Sequence, residues 1–264
     1  MVREGEIMTM THRFTGRTAL VTGAGSGIGR AVALAFAAEG ANVVVAGRRR
    51  EPLDETVALI EEAGGKALAV TADVTSAAGL GSLVTAAVDR FGSLDVAVNN
   101  AGVLEGAGQP VADVAEDAWR RMLDINVTGV LLALRAEVRQ MRSQPRGGTI
   151  VNISSNLGAH GRRPGVTAYA ATKAAVSALT RGAALDHIAD GVRINSVSPG
   201  PVGAPMSLRP GETEAGRAER MRTEAPLGRV STVEEVAAAV LYLASDDAAS
   251  AVGTDLVVDG GATA

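Results

Sequence analysis

The chain has no cysteine and very few aromatic residues, and both shortages limit what it can be. Among its 264 residues are 32 glycines but only one tryptophan, two tyrosines and three phenylalanines. Without cysteine there can be no disulfides and no cysteine-ligated metal sites, and we expect no metal centre. Any core must be built from alanine, valine, leucine and isoleucine, which suits helices packed on a parallel sheet.

Charge and hydropathy argue against two classes of partner. A net charge of −4 gives no basic surface for nucleic acid or an anionic membrane. No apolar run reaches the roughly 18–20 residues of a membrane span, and the opening MVREGEIMTMTHR is too polar for a signal peptide. We therefore expect a soluble, cytoplasmic protein that binds neither nucleic acid nor membrane. Residues 1–15 are predicted to form a flexible leader.

From residue 16 to residue 264, short β-branched runs alternate with alanine-rich helical stretches. Seven such alternations with short connections predict a single domain. We expect a doubly wound, parallel, seven-stranded α/β sheet with helices on both faces. The segment 200–229 differs in texture, because it is charged and punctuated by proline and glycine. It follows a strand end, where ligands bind in such sheets. We interpret it as a substrate flap, with an ordinary surface loop as the alternative.

A glycine-rich turn, VTGAGSGIGR, follows the first predicted strand. Its spacing is T-G-x-x-x-G-x-G, because a plain G-x-G-x-x-G pattern would require glycine at Ile28. Such glycines permit a tight turn that brings the backbone and a helix N-terminus close to a pyrophosphate. The alternative is a turn that serves packing alone. The turn predicts a dinucleotide cofactor, with contacts from Gly23, Ser26, Gly27, Ile28 and Gly29.

The second predicted strand ends in VVVAGRRR, which bears on the choice of cofactor. Enzymes that select NAD place an acidic residue near this position to bind the ribose 2′-hydroxyl. Here Gly47 is followed by three arginines, and a guanidinium can bind a 2′-phosphate through paired N–H bonds. The sequence favours NADP(H), with Arg48 as its ligand. NAD(H) is the alternative, because Ser26 supplies no second cation and the arginines could simply be a solvated helix start.

A tyrosine and a lysine lie one helical turn apart in a chain that has only two of each. Tyr169 and Lys173 in YAATK would share one helix face. Further motifs lie before and after them in the chain. In order, these are Asp73-Val74, NNAG at 99–102, DINVTG with Asn126, VNISS with Ser155, SVSPG ending at Gly200, and VDGG near the C-terminus.

Taken together, in this order and at this spacing, the motifs resemble the short-chain dehydrogenase/reductase family, in its single-domain branch of roughly 250 residues. The resemblance covers residues 15–261 and implies a Rossmann-like fold. It also implies an NAD(P)(H)-dependent oxidoreductase that interconverts a secondary alcohol and a ketone. The implied catalytic residues are Asn126, Ser155, Tyr169 and Lys173. The implied cofactor contacts are the glycine turn, Arg48, Asp73, Val74, Asn100, Ala101, Gly102, Tyr169, Lys173, Pro199, Gly200 and Val202.

The resemblance also assigns roles. Tyr169 would transfer the proton, with its pKa lowered by Lys173, which would also bind the nicotinamide ribose. Ser155 would hydrogen-bond the substrate oxygen, and Asn126 would hold a relay water. The family commonly forms homotetramers through its two long helices, here about 117–141 and 167–189, and its last strand. The alternatives are a cofactor-binding sensor or scaffold without turnover, or a non-redox epimerase of the same fold.

Two departures from the family pattern accompany the resemblance. Ser155 lies fourteen residues before Tyr169, where thirteen is usual, and Ser154 is the alternative serine. Ala204 occupies a position where the family usually has a threonine that helps to hold the cofactor carboxamide, which leaves the backbone near Val202 for that contact.

The substrate pocket is expected to come from 102–110, from the residues after Ser155 and from the flap, with His160 as a further candidate. A small-molecule ketone or alcohol, cyclic or aliphatic, is the expected substrate.

Overall fold

The centre of the structure is a parallel sheet of seven strands in the order β3-β2-β1-β4-β5-β6-β7. The computed structural model describes residues 12–209 and 211–264. Every neighbouring pair of strands is parallel, which confirms the predicted doubly wound Rossmann-like sheet. The strands are β1 Thr18–Thr22, β2 Asn42–Gly47, β3 Lys66–Thr71, β4 Val96–Asn99, β5 Gly148–Ile153, β6 Val192–Pro199 and β7 Asp255–Val258.

Helices cover both faces of the sheet. On one face pack α1 Gly27–Ala38, α2 Arg50–Glu62 and α8 Val233–Ala244; on the other pack α3 Ala77–Phe91, α5 Gly129–Met141 and α6 Thr167–His187. Two shorter helices are α4 Glu116–Leu123 and α7 Glu214–Glu224. In the described part of the chain, no helix combines the length and apolar character needed to cross a bilayer.

Valine-rich strands buried on both sides explain the layered architecture. Along β1, Val21 points to one core and Leu20 to the other, and along β2 Val43 and Val44 do the same. Successive side chains of a strand point to opposite faces, so each strand contributes to two helix–sheet cores. The few aromatic residues are used sparingly: Phe14 and Phe36 meet edge to face with ring centroids 4.9 Å apart.

Phe14 shows that the packed domain begins earlier in the chain than predicted. The predicted leader ends at residue 15, and its residues 1–11 lie outside the described residues. Phe14, however, is fully buried, and its backbone N–H donates to the carbonyl of Glu39 at 3.1 Å. The packed domain therefore already includes residue 14, and the boundary predicted after residue 15 is too late.

The long helix predicted over 117–141 is present over 116–141 without a break, but one turn within it is not α-helical. α4 ends at Leu123, a wider π-helical turn covers Asp124–Thr128, and α5 follows. Asn126 lies in that turn and is fully buried. Its side chain accepts from the Val103 N–H at 2.8 Å and donates to the Val103 carbonyl at 2.9 Å. We attribute the distortion to this pair of bonds, which ties the helix to the segment after β4.

The predicted flap is more regular than its composition suggested. It contains a short 3-10 turn, Pro205–Ser207, and helix α7; Pro210, within the same segment, lies outside the described residues. Its charges form ion pairs: Arg220 contacts Glu212 at 2.6 Å and Arg209 contacts Glu224 at 2.8 Å. The charged, weakly periodic sequence therefore contains a helix that is held by ion pairs within its own segment.

Candidate active site

The sequence-predicted site residues meet at the carboxyl ends of β1, β4, β5 and β6. The order of strands reverses between β1 and β4, and ligands bind at that point in open α/β sheets. Thr22, at the end of β1, joins the two halves, because its hydroxyl accepts from the N–H groups of Asn100 and Ala101 at 3.0 and 3.2 Å. The Asn100 side chain returns a bond to the Thr22 carbonyl at 2.9 Å. Sequence reasoning placed Thr22 in the glycine motif without seeing this role.

The glycine turn is built so closely that side chains would not fit at two positions. Gly23 has φ +67° and an added Cβ would lie 2.8 Å from the Asn100 amide nitrogen; one at Gly29 would overlap the Gly23 carbonyl oxygen. Gly27 and Ile28 open helix α1, and exposed Ser26 precedes it without capping it. The first N–H groups of α1 are thus presented at a surface without side-chain cover. This cradle suits the pyrophosphate of a dinucleotide.

A cavity of about 150 Å³ lies beside that turn. It is bounded by the ends of the first four strands, and its lining includes several of the predicted cofactor contacts. These are Arg48, Asp73, Val74, Ala101 and Gly102. Hydrogen bonds from the Thr75 backbone and hydroxyl hold the pKa of Asp73 below its usual range, and the positive charge of Arg48 adds to the effect. Arg48 is exposed at the rim, as a group that reaches toward a ribose would be.

Tyr169 and Lys173 lie on the first turns of α6, and both are buried. The Lys173 Nζ donates to the Ile153 carbonyl at 2.8 Å and lies 5.9 Å from the centre of the Tyr169 ring. Ser155 follows β5, and its hydroxyl accepts from the Leu157 N–H at 3.1 Å. Its side chain lies near enough to the Tyr169 hydroxyl to lower the pKa of Tyr169, so the one-residue longer spacing between Ser155 and Tyr169 does not keep them apart.

The Ser154 side chain points toward the backbone of α6. Its hydroxyl donates to the Lys173 carbonyl at 2.9 Å and lies 2.9 Å from the hydroxyl of Ser177. Because successive residues of an extended chain point to opposite sides, only one of the two serines can face the cleft. The geometry selects Ser155, and Ser154 instead anchors the backbone of α6.

Burial shifts the proton equilibria of both α6 residues. It raises the pKa of Tyr169 to about 12, although the nearby Ser155 side chain partly opposes the shift. It lowers the pKa of Lys173 to about 8. The sequence-based expectation that Lys173 lowers the pKa of Tyr169 is not met here, because removal from water disfavours both charged forms. The nearest partner of the ammonium is instead the Ile153 carbonyl.

The Asn126 side chain and the Lys173 ammonium both lie close to Gly102. A methyl group added at Gly102 would lie 3.3 Å from the Asn126 side-chain oxygen and 3.5 Å from Lys173 Nζ. Both donor bonds of the Asn126 amide are used, one to Val103 and one to the Thr172 hydroxyl at 3.1 Å. The side chain therefore fixes the backbone around the site.

The turn after β6 carries the residues predicted for the nicotinamide side. The Pro199 carbonyl accepts from the Asn156 N–H at 2.9 Å, and an added Cβ at Gly200 would come 2.6 Å from that of Asp259. Val202 is buried. The Ala204 methyl lies 3.6 Å from where a Cβ of Gly27 would stand, so this turn and the glycine turn adjoin each other.

The sequence analysis did not predict one residue near the site, Arg217, and it expected another, His160, in the substrate cleft. Arg217, nine-tenths buried in α7, donates to the Ala204 carbonyl at 3.0 Å and to the Ser207 hydroxyl at 2.9 Å. No pattern in the charged flap distinguishes it from its neighbours. His160, a candidate for the substrate cleft, instead points its Nε2 at Asp255, 3.0 Å away at the start of β7. Among the residues described, no group of histidine and acidic side chains could hold a metal ion.

Comparisons with known proteins agree with this geometry. Residues 23–263 match a family model described as enoyl-(acyl carrier protein) reductase. The chain is 43% identical to cis-4-hydroxycyclohexanecarboxylate dehydrogenase of Sinomonas cyclohexanicum, over 97% of this chain and all of that one. It is 39% identical to a 3beta-hydroxysteroid dehydrogenase of Mediterraneibacter gnavus, over 95% and 96% of the two chains. The crystal structure of levodione reductase superposes with a TM-score of 0.88 at 35% identity, covering 95% of this chain and 98% of that one.

Fold, site and relatives together define the class. The molecule is a nicotinamide-dependent oxidoreductase that acts on CH–OH and carbonyl groups. The chain belongs to the short-chain dehydrogenase/reductase family, and the resemblance carried by its motifs is confirmed.

Proposed function

We propose that this enzyme interconverts a secondary alcohol on a ring and the corresponding ketone, with Tyr169 as the acid and base. The observation that carries the proposal is the burial of Tyr169 and Lys173 together on α6, with the Lys173 Nζ 5.9 Å from the centre of the Tyr169 ring. The nicotinamide cofactor supplies or accepts the hydride when bound. The protein must therefore orient the substrate oxygen and move one proton.

The proton chemistry follows from burial. With a pKa of about 12, Tyr169 is protonated at neutral pH and is ready to donate to a carbonyl oxygen as negative charge develops there. Ser155 would donate a second hydrogen bond to that oxygen and stabilise the same charge. In the oxidative direction Tyr169 must first lose its proton. A charged Lys173 would then favour the phenolate and, with its remaining N–H groups, bind the ribose.

Cofactor preference is the second part of the proposal. The glycine turn would hold the pyrophosphate, Asp73 and Val74 the adenine side, and the segments around Gly102 and Val202 the nicotinamide side. Arg48 lines the cavity at the end of β2, whereas the nearby Arg50 is paired with Asp54 at 2.7 Å. Among the described residues Arg48 makes no such pair. This supports NADP(H), with Arg48 on the 2′-phosphate and NAD(H) as the alternative.

The ring in the proposed substrate is supported by the relatives. The names of the two relatives compared specify a hydroxycyclohexanecarboxylate and a 3beta-hydroxysteroid, both of which carry a secondary hydroxyl on a six-membered ring. A homotetramer remains part of the proposal. The cytoplasmic location expected from the sequence stays a prediction.

Turnover of a panel of ring alcohols and ketones with NADP and with NAD tests this function. Absorbance of the reduced nicotinamide should change only with ring substrates that carry a secondary hydroxyl or ketone, and faster with NADP. An epimerase of the same fold would convert substrate with no net change in that absorbance, and a sensor would bind cofactor without turnover. Either result would contradict the proposal.

A further inference from the structure

Asp255, the first residue of β7, is a buried carboxylate that contacts three other parts of the fold. Its side chain is only 6% exposed. Its Oδ2 accepts from the Ser177 hydroxyl of α6 at 2.6 Å, and its Oδ1 accepts from the Ser198 hydroxyl of β6 at 2.6 Å. The same Oδ2 lies 3.0 Å from Nε2 of His160, which belongs to the loop between Ser155 and α6. A single carboxylate thus joins α6, β6 and that loop.

The Asp255 carboxylate stays charged in spite of its burial. Burial alone would raise the pKa of Asp255, but the contacts with Ser177, Ser198 and His160 outweigh it and hold the pKa below its usual range. A buried charge is costly unless it is paired and hydrogen-bonded. The loss of one of these contacts is therefore expected to weaken the whole cluster.

The residue before Ser155 reaches the same cluster. The Ser154 hydroxyl lies 2.9 Å from the Ser177 hydroxyl and donates to the Lys173 carbonyl at 2.9 Å. Through Ser177, Ser154 is therefore connected to Asp255.

The residues after Ser155 form a tight turn that reaches the carboxylate from the other side. Within this turn the Gly161 N–H donates to the Asn156 carbonyl at 2.6 Å. His160 lies between these two residues in the chain. Its contact with Asp255 therefore fixes the segment that directly follows Ser155.

We infer that His160 and Asp255 are positioning residues for the reaction, which hold Ser155 in place beside the substrate oxygen. The chain is tied to the carboxylate on both sides of Ser155, before it through Ser177 and after it through His160. The connection from Ser155 to Tyr169 is one residue longer than is usual in the family, and a longer loop loses more entropy when its ends are fixed. The contact with the carboxylate provides that constraint. This inference rests on the proposed function, because it assumes that Ser155 acts on the substrate oxygen.

Kinetics with a disruptive and a conservative variant of His160 test the inference. His160→Leu removes the nitrogen that contacts Asp255, whereas His160→Gln keeps an N–H donor with a similar reach. We expect His160→Leu to lower kcat about tenfold, counted per cofactor-binding site, because a displaced donor stabilises the developing charge less well. His160→Gln should recover most of that loss, and Asp255→Asn should lose at least as much as His160→Leu.

His187 provides the matched control. It contacts Asp190 at 2.9 Å, and its side chain is 28% exposed, against 27% for His160. It is the last residue of α6, far along the helix from Tyr169. His187→Leu should leave kcat within about twofold of the unmodified enzyme, because a partly exposed pair of this kind contributes little. Counting active sites by cofactor binding removes the contribution of unfolded protein, so a loss of folding does not imitate a loss of positioning.

A double variant shows whether His160 acts through Ser155. Ser155→Ala should lower kcat about 100-fold. If His160 serves to place Ser155, then adding His160→Leu to Ser155→Ala should cost less than about twofold. An equal loss from His160→Leu in both backgrounds, no loss from His160→Leu alone, or no recovery in His160→Gln would overturn the inference. A full kcat in Ser155→Ala would refute the proposed role of Ser155, and the inference with it.

Hydrogen exchange of the loop separates this inference from the proposed function, because it needs no substrate. In His160→Leu the amides of residues 156–166 should exchange about tenfold faster than in the unmodified enzyme, and in His187→Leu they should not change. Unchanged exchange in His160→Leu, or faster exchange with an unchanged kcat, would overturn the inference. The kinetics would use whichever alcohol reacts fastest, so a failure of the proposed ring preference leaves this test in place.

Discussion

Single residues in this enzyme have roles that their neighbours in the sequence do not share. Ser154 and Ser155 are adjacent, but the Ser154 hydroxyl donates to the backbone of α6, whereas the Ser155 side chain lowers the pKa of Tyr169. Tyr169 and Lys173 could be identified from the sequence because both residue types are rare in the chain and because the other motifs accompany them. They did not reveal the pKa values, because burial depends on contacts between distant elements. Arg217 was missed for the same reason: its contact with Ala204 exists only after folding.

Cofactor choice is a prediction at this scale. Replacing Arg48 by aspartate should shift the ratio of kcat/KM from NADP toward NAD by about tenfold or more, because a charge-assisted bond to a 2′-phosphate is lost and a repulsion is added. Arg50→Asp is the matched control, since Arg50 is paired with Asp54 and is expected to leave the ratio nearly unchanged. Equal ratios for the two variants would exclude Arg48 as the selecting residue.

At the scale of elements, hydrophobic pattern predicted nearly every strand and helix. Two exceptions are instructive. Helix α7 forms in the segment 200–229, whose charged sequence shows little helical period. In the other case the helical period continues from α4 through α5, so the sequence predicts one regular helix. The π-helical turn between them comes from Asn126 bonding to Val103, 23 residues earlier in the chain. Periodicity reports which side of a helix is buried, and it contains no information about a single polar bond that widens one turn.

Helix α5 also carries a buried acid that should make stability depend on pH. Glu137 is almost fully buried and accepts from the Asn99 amide at 2.9 Å. Burial raises its pKa from 4.5 to about 7. The folded state thus keeps a proton that the unfolded state has released, so stability is lost as pH rises from about 4.5 to about 7. At 1.36 kcal/mol per pKa unit, the loss is about 3 kcal/mol.

Denaturation of the unmodified enzyme and Glu137→Gln across this pH range isolates that effect. Glutamine keeps an acceptor for Asn99 but has no proton to lose. The difference in free energy of unfolding between the two proteins should change by about 3 kcal/mol in favour of Glu137→Gln between pH 4.5 and pH 7. Parallel pH profiles would show that Glu137 does not titrate in this way.

For the whole molecule, the parallel sheet of seven strands and a ligand site at its strand ends follow from the sequence, because alternating strands and helices allow few topologies. The start of the packed domain was set too late, since Phe14 stands alone in a polar stretch and only its packing on Phe36 shows that it is buried. The assembly of subunits is even harder to predict from the sequence. The structure leaves apolar side chains uncovered on α5 and α6, such as Leu131 and Leu185, 44% and 77% exposed.

These exposed residues support the proposed tetramer. A groove of about 650 Å³ runs between α5 and α6, and Leu131 is part of its lining, so a second copy seated there would bury that side chain. Light scattering should give about four times the 26.7 kDa chain mass. Leu131→Asp should shift the population to smaller species, because it places a charge in the apolar contact. A monomer in the unmodified protein would refute the assembly.

The central claim is that Tyr169 transfers the proton, and the chain offers its own control in its only other tyrosine. Turnover of a ring alcohol should be compared for Tyr169→Phe and Tyr242→Phe, with NADP binding measured for both. The account predicts that Tyr169→Phe loses about 100-fold to 10,000-fold in kcat and still binds NADP, whereas Tyr242→Phe, at the exposed surface of α8, keeps both. Turnover by Tyr169→Phe at the rate of the unmodified enzyme would contradict the account.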